Sequence, residues 1–184
     1  MGLHREVPMN RQSAYSLLEL VLTIAIATMV LALAIPSFGD TLAKQRQRAE
    51  IDALFRAMYH AKNASVVRHE VVTVCASHDG ETCENSADWS GGWMMFENTD
   101  QDSPPQRDPG EPRLKFHTVH PEMEISSNRR NYTLRSTRRR ATNGTLVVCD
   151  RTGRVPPRAV VVSFTGRPRV ASETTRGRPY RCPD

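Results

Sequence analysis

The chain has 184 residues, of which 39% are hydrophobic, and a formal net charge of +5. This length leaves room for one modest globular domain after a helix. The charge is divided unevenly: residues 1–127 hold 11 Lys and Arg against 17 Asp and Glu, whereas residues 128–184 hold 14 Arg against 3 acidic residues. Such a division predicts an electrostatic partner for the C-terminal part.

The most apolar stretch is 15–36, with the sequence YSLLELVLTIAIATMVLALAIP. A helix over 17–35 would be about 28 Å long, close to the hydrocarbon thickness of a bilayer. The short segment before it carries His4, Arg5 and Arg11. By the positive-inside tendency, we predict a membrane-spanning helix whose leader stays in the cytoplasm and whose C-terminal side is exported.

Glu19 is the unusual residue of this stretch, because a carboxylate in a membrane segment costs a few kcal/mol unless it has a partner. No Lys, Arg or His lies between Glu19 and Lys44. A new α-amino group would supply the partner if the chain were cut just upstream. Two plainer interpretations are a secretory signal peptide and a simple single-pass anchor. The length of the run and its acid argue against the first, and the second leaves Glu19 unexplained.

The segment 14–20, AYSLLEL, resembles the prepilin cleavage motif of type IV pilins and of the pseudopilins of type II secretion. The resemblance implies that prepilin peptidase cuts between Ala14 and Tyr15 and that the new terminus is N-methylated. Glu19 is then the fifth mature residue and pairs with the Tyr15 amine of a neighbouring subunit during assembly. The family usually has Gly before the cut. Ala14 departs from this pattern, but its side chain is also small. Met9 is a second candidate start beside Met1.

Residues 37–68 continue with apolar side chains at helical spacing, which predicts an amphipathic second half of the same helix. Short β-branched or aromatic runs predict strands at 71–76, 93–97, 114–119, 123–127, 132–136, 145–150 and 158–164. The tail from 170 to 184 has no periodicity and is expected to form an ordered loop. The expected organisation is a leader (1–14), an apolar helix half (15–36), an amphipathic half (37–68) and a β-rich head (69–184). The predicted fold class is α+β and type IV pilin-like.

Four Cys, all after the apolar stretch, are typical of an exported chain in an oxidising compartment and predict two disulfides. We expect the pairs Cys75–Cys83, which closes a short loop, and Cys149–Cys182, which pins the tail. This is one of three possible pairings, and sequence alone does not separate them.

The head carries landmarks that are similar to those of the GspH/FimT family of minor pilins and pseudopilins. They are Cys75, Gly92-Trp93, the run 146–150 (LVVCD), the run 160–162 (VVV) and the segment 166–169 (GRPR). The resemblance implies a filament subunit located at the tip of a pilus or pseudopilus. Members of the FimT branch use a C-terminal GRxR motif to bind DNA during natural transformation.

By that resemblance, the DNA-binding candidates are Arg167 and Arg169, and the tail adds further guanidinium groups that we expect to converge on the same face. These are Arg176, Arg178 and Arg181, with 138–140 as a possible extension. Guanidinium groups suit phosphate recognition with little sequence preference. Tyr180 is the one aromatic residue of the tail, which argues for contact with the backbone of double-stranded DNA rather than base stacking.

The sequence contains no G-x-S-x-G, P-loop, H-E-x-x-H or C-x-x-C motif, and we predict no enzymatic activity, cofactor or metal. Three functions remain: a DNA-capturing minor pilin, a structural tip subunit that primes pilus assembly, and a type II secretion pseudopilin that handles exported proteins. The expected partners are other pilins or pseudopilins, prepilin peptidase, the inner membrane and double-stranded DNA. The expected location is the inner membrane with the head in the periplasm, and then the filament.

Overall fold

The computed structural model describes residues 16–136 and 140–183, and for 33–37 it describes the backbone alone. One helix is followed by eight strands. The helix is α1, Leu17–Val67. The strands are β1 (Val72–Ala76), β2 (Trp93–Glu97), β3 (Arg113–His117), β4 (Met123–Ser127), β5 (Asn131–Leu134), β6 (Gly144–Asp150), β7 (Arg158–Val162) and β8 (Pro168–Ala171).

The chain divides into two compact units, one that ends at Gly39 and one that runs from Asp40 to the C-terminus. In the first unit, the side chains described along α1 are exposed, including large apolar ones such as Leu17, Val30 and Leu31. Across the described residues, no helix is both long enough and apolar enough to span a membrane. The membrane span predicted over 15–36 is therefore not confirmed.

The second unit contains two antiparallel sheets of four strands each. Sheet A has the strand order β3-β2-β1-β5, and sheet B has the order β4-β6-β7-β8. In sheet B, Val162 of β7 pairs with Pro168 and Ala159 pairs with Ala171. Strand β8 therefore forms an edge of sheet B, with a strand partner on one side only.

The main core lies between α1 and both sheets. From α1 it takes Ile51, Leu54 and Met58, each at most 2% exposed, which confirms the predicted amphipathic half. Their sequence spacing places them on one face of the helix. The sheets contribute buried side chains that include Val72, Val74, Trp93, Tyr132, Leu146, Val148 and Val160. Burial of this stripe fixes the orientation of α1 about its axis from Ile51 onward.

Strands β1 and β2 are buried at every position, because sheet A is covered on both faces. Alternate residues of a strand point to opposite faces. Val74 and Trp93 belong to the main core, whereas Met94 and Phe96 pack in a second cluster with the Cys75–Cys83 disulfide. The disulfide therefore stabilises the outer face of sheet A.

Two buried polar side chains of α1 attach the helix to strands and loops of both sheets. The carboxylate of Glu50 accepts a hydrogen bond from the backbone N–H of His120 at 3.1 Å and lies 2.8 Å from Nε2 of His117. The amide of Gln47 donates to the carbonyl oxygens of Val148 at 3.2 Å and Pro156 at 2.8 Å. These contacts satisfy polar groups that would otherwise be costly to bury.

The fold class and most of the predicted strands are confirmed. Strands β2 and β4 have the bounds that the sequence predicts, and the other predicted strands differ by one or two residues at an end. The exception is β8, which the sequence analysis placed in the segment after the last strand. Its sequence, PRVA, begins with Pro and is half-buried or exposed throughout, so it lacks the apolar run that marks the other strands. Pro is compatible with the first residue of an edge strand.

Candidate functional site

The turn between β7 and β8, residues 163–167, carries the GRPR segment and is built around Ser163. The backbone N–H of Ser163 donates to the carbonyl of Arg167 at 3.1 Å, and the N–H of Gly166 donates to the carbonyl of Ser163 at 2.9 Å. The hydroxyl of Ser163 also accepts from the N–H of Arg167 at 3.2 Å. This closed turn presents the side chain of Arg167, which is exposed, at the end of sheet B.

Gly166 is required here for two reasons. Its φ of +77° lies in the left-handed region that side-chain-bearing residues rarely adopt. A Cβ at this position would also lie 3.0 Å from Cδ1 of Leu134 and 3.0 Å from Cδ of Lys62. The turn therefore packs closely against β5 and α1, and this contact sets the position of Arg167 relative to the helix.

Lys62 of α1 and Arg167 form a pair of neighbouring cations. The Nζ of Lys62 donates to the carbonyl of Arg135 at 2.6 Å. Burial lowers the pKa of Lys62, and the positive charge of Arg167 lowers it further. None of the ion pairs between described residues includes either side chain. An anion placed between the two cations would relieve their repulsion.

A groove of about 560 Å³ lies between α1 and the β7–β8 turn; we call it the helix–turn groove. Its lining mixes apolar, aromatic, amide and cationic side chains, from Phe55, Tyr59, Lys62, Asn63, Val66, Val67, Gly166, Arg167 and Pro168. Tyr59 is 53% exposed, and Phe55 is half-buried. The groove combines a surface suited to a flat apolar group with two cations suited to an anion.

The β5–β6 loop brings a third cation, Arg140, against the turn. The N–H of Ala141 donates to the carbonyl of Phe164 at 3.0 Å, which holds the loop against the turn. The Arg140 guanidinium lies 5.8 Å from the ring centroid of Phe164, a cation–π contact. Residues 138 and 139, suggested by the sequence as an extension of the basic surface, lie outside the described residues.

The tail Arg residues lie elsewhere. A turn follows β8, in which the N–H of Thr174 donates to the carbonyl of Arg178 at 2.8 Å, and the disulfide then joins Cys182 to Cys149. Cys149 follows Val148, whose partner in β7 is Arg158. Arg158 is four residues from the end of β7 that adjoins the β7–β8 turn, or about 13 Å along the strand.

The predicted basic residues are therefore spread along the edge of sheet B rather than gathered at one point. Arg167 is grouped with Lys62 and Arg140 at one end, and Arg169 is exposed on the edge strand. Arg176, Arg178 and Arg181 are exposed beyond the opposite end of β8.

Among the described residues, the Arg side chains of this half form no ion pair within the chain. Among residues 16–136 and 140–183, every ion pair joins residues between Arg46 and Glu122. In the same part of the chain, no group of three or more His, Cys, Asp or Glu is placed to hold a metal ion. The arrangement can bind anions through charge and hydrogen bonds.

The family model described as type II transport protein GspH matches residues 50–166. The chain belongs to the GspH family. The match includes most of the head of this GspH protein and ends at Gly166, so Arg167 and all later Arg residues lie outside it. The sequence-based recognition of a GspH/FimT-type chain is confirmed.

Among solved structures, the GspH protein is similar to the type IV minor pilin FimU of Pseudomonas aeruginosa in two crystal forms. For the P65 form the identity is 17%, the coverage is 68% of this chain and 90% of FimU, and the TM-score is 0.48. For the P21 form the values are 15%, 69%, 89% and 0.51. The second comparison shows a shared fold. A search of curated proteins gives no match.

The outcome differs among the remaining predicted site residues of this member of the GspH family. Both disulfides, Cys75–Cys83 and Cys149–Cys182, are confirmed. Ala14 and Tyr15 lie outside the described residues. Glu19 lies exposed in the first turn of α1, where the helix dipole favours a negative charge.

The contribution of α1 to the cations around Arg167 was not predicted from the sequence. Tyr59, Lys62 and Asn63 share a helix face through their spacing of three and four residues, which was the available signal. Phe164 was assigned only to a strand, although it lies two residues before the GRPR segment.

Gly166→Ala is expected to destabilise the head by about 2 kcal/mol, because the new Cβ adopts a left-handed φ and crowds Leu134 and Lys62. Gly177→Ala is the matched control. Its φ of +69° is similar, but a Cβ there has no atom within 4 Å. The control should lose only about 1 kcal/mol from backbone strain. Urea unfolding measures both, and equal losses would contradict the close packing at Gly166.

Arg167→Gln is expected to raise the pKa of Lys62, because it removes a neighbouring positive charge. The pKa should remain below its ordinary value of 10.5, since burial, the larger cause, persists. NMR titration of the lysine Nζ resonances measures the change, and Arg169→Gln is the control that should leave it unaltered. An unchanged Lys62 pKa in Arg167→Gln would show that the two cations are not neighbours.

Proposed function

We propose that this GspH protein is a minor pilin or pseudopilin that is inserted in the inner membrane, cleaved before Tyr15 and incorporated into a filament, where it captures DNA. Two independent sets of observations support the two parts of this proposal. The first concerns α1 before Gly39, and the second concerns the basic edge of sheet B.

For assembly, the supporting observation is the exposed apolar surface of α1. Leu17 and Met29 are 79% and 72% exposed. An apolar surface of this extent requires an apolar environment or a partner. The hydroxyls of Thr23 and Thr28 donate to the carbonyls of Leu20 and Ala25 at 2.8 and 2.9 Å, so they present little unsatisfied polarity to such surroundings. Membrane lipid before assembly, and neighbouring α1 helices afterwards, would both cover this surface.

Within that apolar surface, Glu19 is the charged group available to specify alignment. Its proposed partner is the N-methylated amine of Tyr15 on the neighbouring subunit. Leaving either charge unpaired in an apolar environment costs several kcal/mol. Subunits would therefore align at the stagger that brings the two charges together, while the apolar side chains supply the bulk of the attraction.

Glu19→Gln is expected to reduce incorporation into the filament by more than tenfold, because the Tyr15 amine loses its carboxylate partner. Immunoblots of sheared filaments and of the membrane fraction measure the distribution of the chain. Thr23→Ala is the control and should leave incorporation unchanged, since the Thr23 hydroxyl is satisfied within its own helix. Normal incorporation of Glu19→Gln would refute the charge-pairing role.

For DNA capture, the observation that carries the proposal is the row of exposed Arg side chains on the edge of sheet B, which have no ion-pair partner among the residues that the structure describes. Arg167 and Arg169 lie at one end and along the edge strand. Exposed guanidinium groups bind phosphate with favourable geometry and without sequence preference. If about four of them each neutralise one phosphate, affinity should fall roughly a hundredfold between 50 and 200 mM salt.

The alternative function is that of a type II secretion pseudopilin without DNA binding, and the description of the matching family favours it. In that case the basic edge would contact acidic surfaces of neighbouring pseudopilins or exported proteins. A direct DNA-binding measurement separates the two.

The test uses the chain in a nonionic detergent, mixed with labelled duplex DNA at increasing salt. Arg167→Ala combined with Arg169→Ala is expected to reduce the salt slope of log K by about 2 and to weaken low-salt binding at least about tenfold. The control combines Lys44→Ala with Arg48→Ala, which removes the same charge from exposed positions of α1. Equal losses in both variants, or no binding by the wild type at low salt, would favour the secretion alternative.

A further inference from the structure

The helix–turn groove has a property that phosphate binding alone does not require. Its volume of about 560 Å³ falls within the range of small-ligand sites, and much of its lining is apolar or aromatic. Phosphates of a duplex backbone need only exposed cations, such as Arg169 on the edge strand. A ligand that uses the whole groove must have an anionic group and an apolar body next to it.

Tyr59 provides the surface for such a body. Its side chain is 53% exposed, and its only ring contact among the described residues is an edge contact with the adjacent His60 at 6.4 Å between centroids. Tyr59 does not belong to the hydrophobic core cluster. Lys62 follows Tyr59 by three residues and Asn63 by four, which places all three on one helix face above the turn.

The anionic group has a defined place between the helix and the turn. Lys62 and Arg167 are neighbouring cations, and Lys62 is fixed by its hydrogen bond to the carbonyl of Arg135. The amide of Asn63 lies in the same lining and can both donate and accept hydrogen bonds. Among the described residues, no ion pair competes for these two cations.

In a base-paired duplex the flat faces of the bases are stacked on one another. Away from its ends, a duplex therefore exposes phosphates but no free base face. An unpaired nucleotide offers both groups, joined through one sugar, and aromatic side chains bind such bases without sequence preference. We propose that the helix–turn groove binds an unpaired nucleotide of DNA, with its phosphate between Lys62 and Arg167 and its base against the ring of Tyr59. This inference rests on the proposed DNA-binding function and specifies the strand state that the site selects.

The experiment measures binding of the chain in nonionic detergent to three probes: a blunt duplex, the same duplex with a short single-stranded overhang, and the single strand alone. Tyr59→Leu removes the aromatic face but keeps an apolar side chain, and Tyr59→Phe is the matched control that keeps the ring. Tyr59 is exposed, so neither change should affect folding. A thermal melt of each variant verifies this.

Wild type and Tyr59→Phe should bind the overhang and single-strand probes about tenfold more tightly than Tyr59→Leu does, because the stacking surface is lost in the latter. All three proteins should bind the blunt duplex equally. The inference is overturned if Tyr59→Leu binds every probe as wild type does, or if it loses affinity for the blunt duplex to the same extent.

The outcomes also separate this inference from the function on which it rests. If Arg167→Ala with Arg169→Ala weakens blunt-duplex binding while the Tyr59 variants behave alike, DNA capture stands and the nucleotide site is refuted. If wild type binds none of the probes at low salt, both are refuted. Competition by a free nucleoside monophosphate against the overhang probe, but not against the blunt duplex, would further support a nucleotide-sized site.

Discussion

The burial of one stripe of α1 between the two sheets is the constraint on which the rest of the head depends. Ile51, Leu54 and Met58 lose nearly all contact with solvent, and this fixes the rotation of the helix about its axis. Because the helical repeat is regular, the neighbouring face that carries Tyr59 and Lys62 is fixed as well. The candidate site therefore inherits its geometry from the hydrophobic core. The close approach of Gly166 to α1 completes it from the side of sheet B.

The N-terminal and C-terminal parts of the head differ in how their charged side chains are paired. The acidic N-terminal part of the head uses its cations internally, in pairs such as Arg68 with Glu97 and Arg113 with Glu81. The C-terminal part has almost no acidic residues to use in this way. Within the described part of the chain, Arg167 and Arg169 form no ion pair, and because exposed ion pairs contribute little to stability, this costs the fold little. The basic edge is thereby available for an external anion without weakening the protein.

Much of this architecture follows from local sequence patterns. The helix and strands such as β2 and β4 have periodic or continuous apolar runs, and their burial depends on those runs. Strand β8 could not be predicted, because an edge strand needs only one partner and tolerates Pro168 and Arg169. The GRPR segment was predicted as a candidate site from its sequence motif. The part played by Tyr59 and Lys62 was not, because about a hundred residues separate them from the turn and only the packing of α1 brings them together.

The Cys149–Cys182 bridge has a mechanical consequence. Edge strands are held by a single ladder of hydrogen bonds, and a strand with a free end can be peeled away one bond at a time. Here the chain beyond β8 is tied covalently to β6 across a sequence separation of 33 residues. A ligand that pulls on Arg167 or Arg169 therefore applies its force inside a closed covalent loop, in which unzipping cannot begin at the C-terminus. The edge that presents the basic side chains is thus held at both ends of its strand, by the β7–β8 turn on one side and by the disulfide on the other.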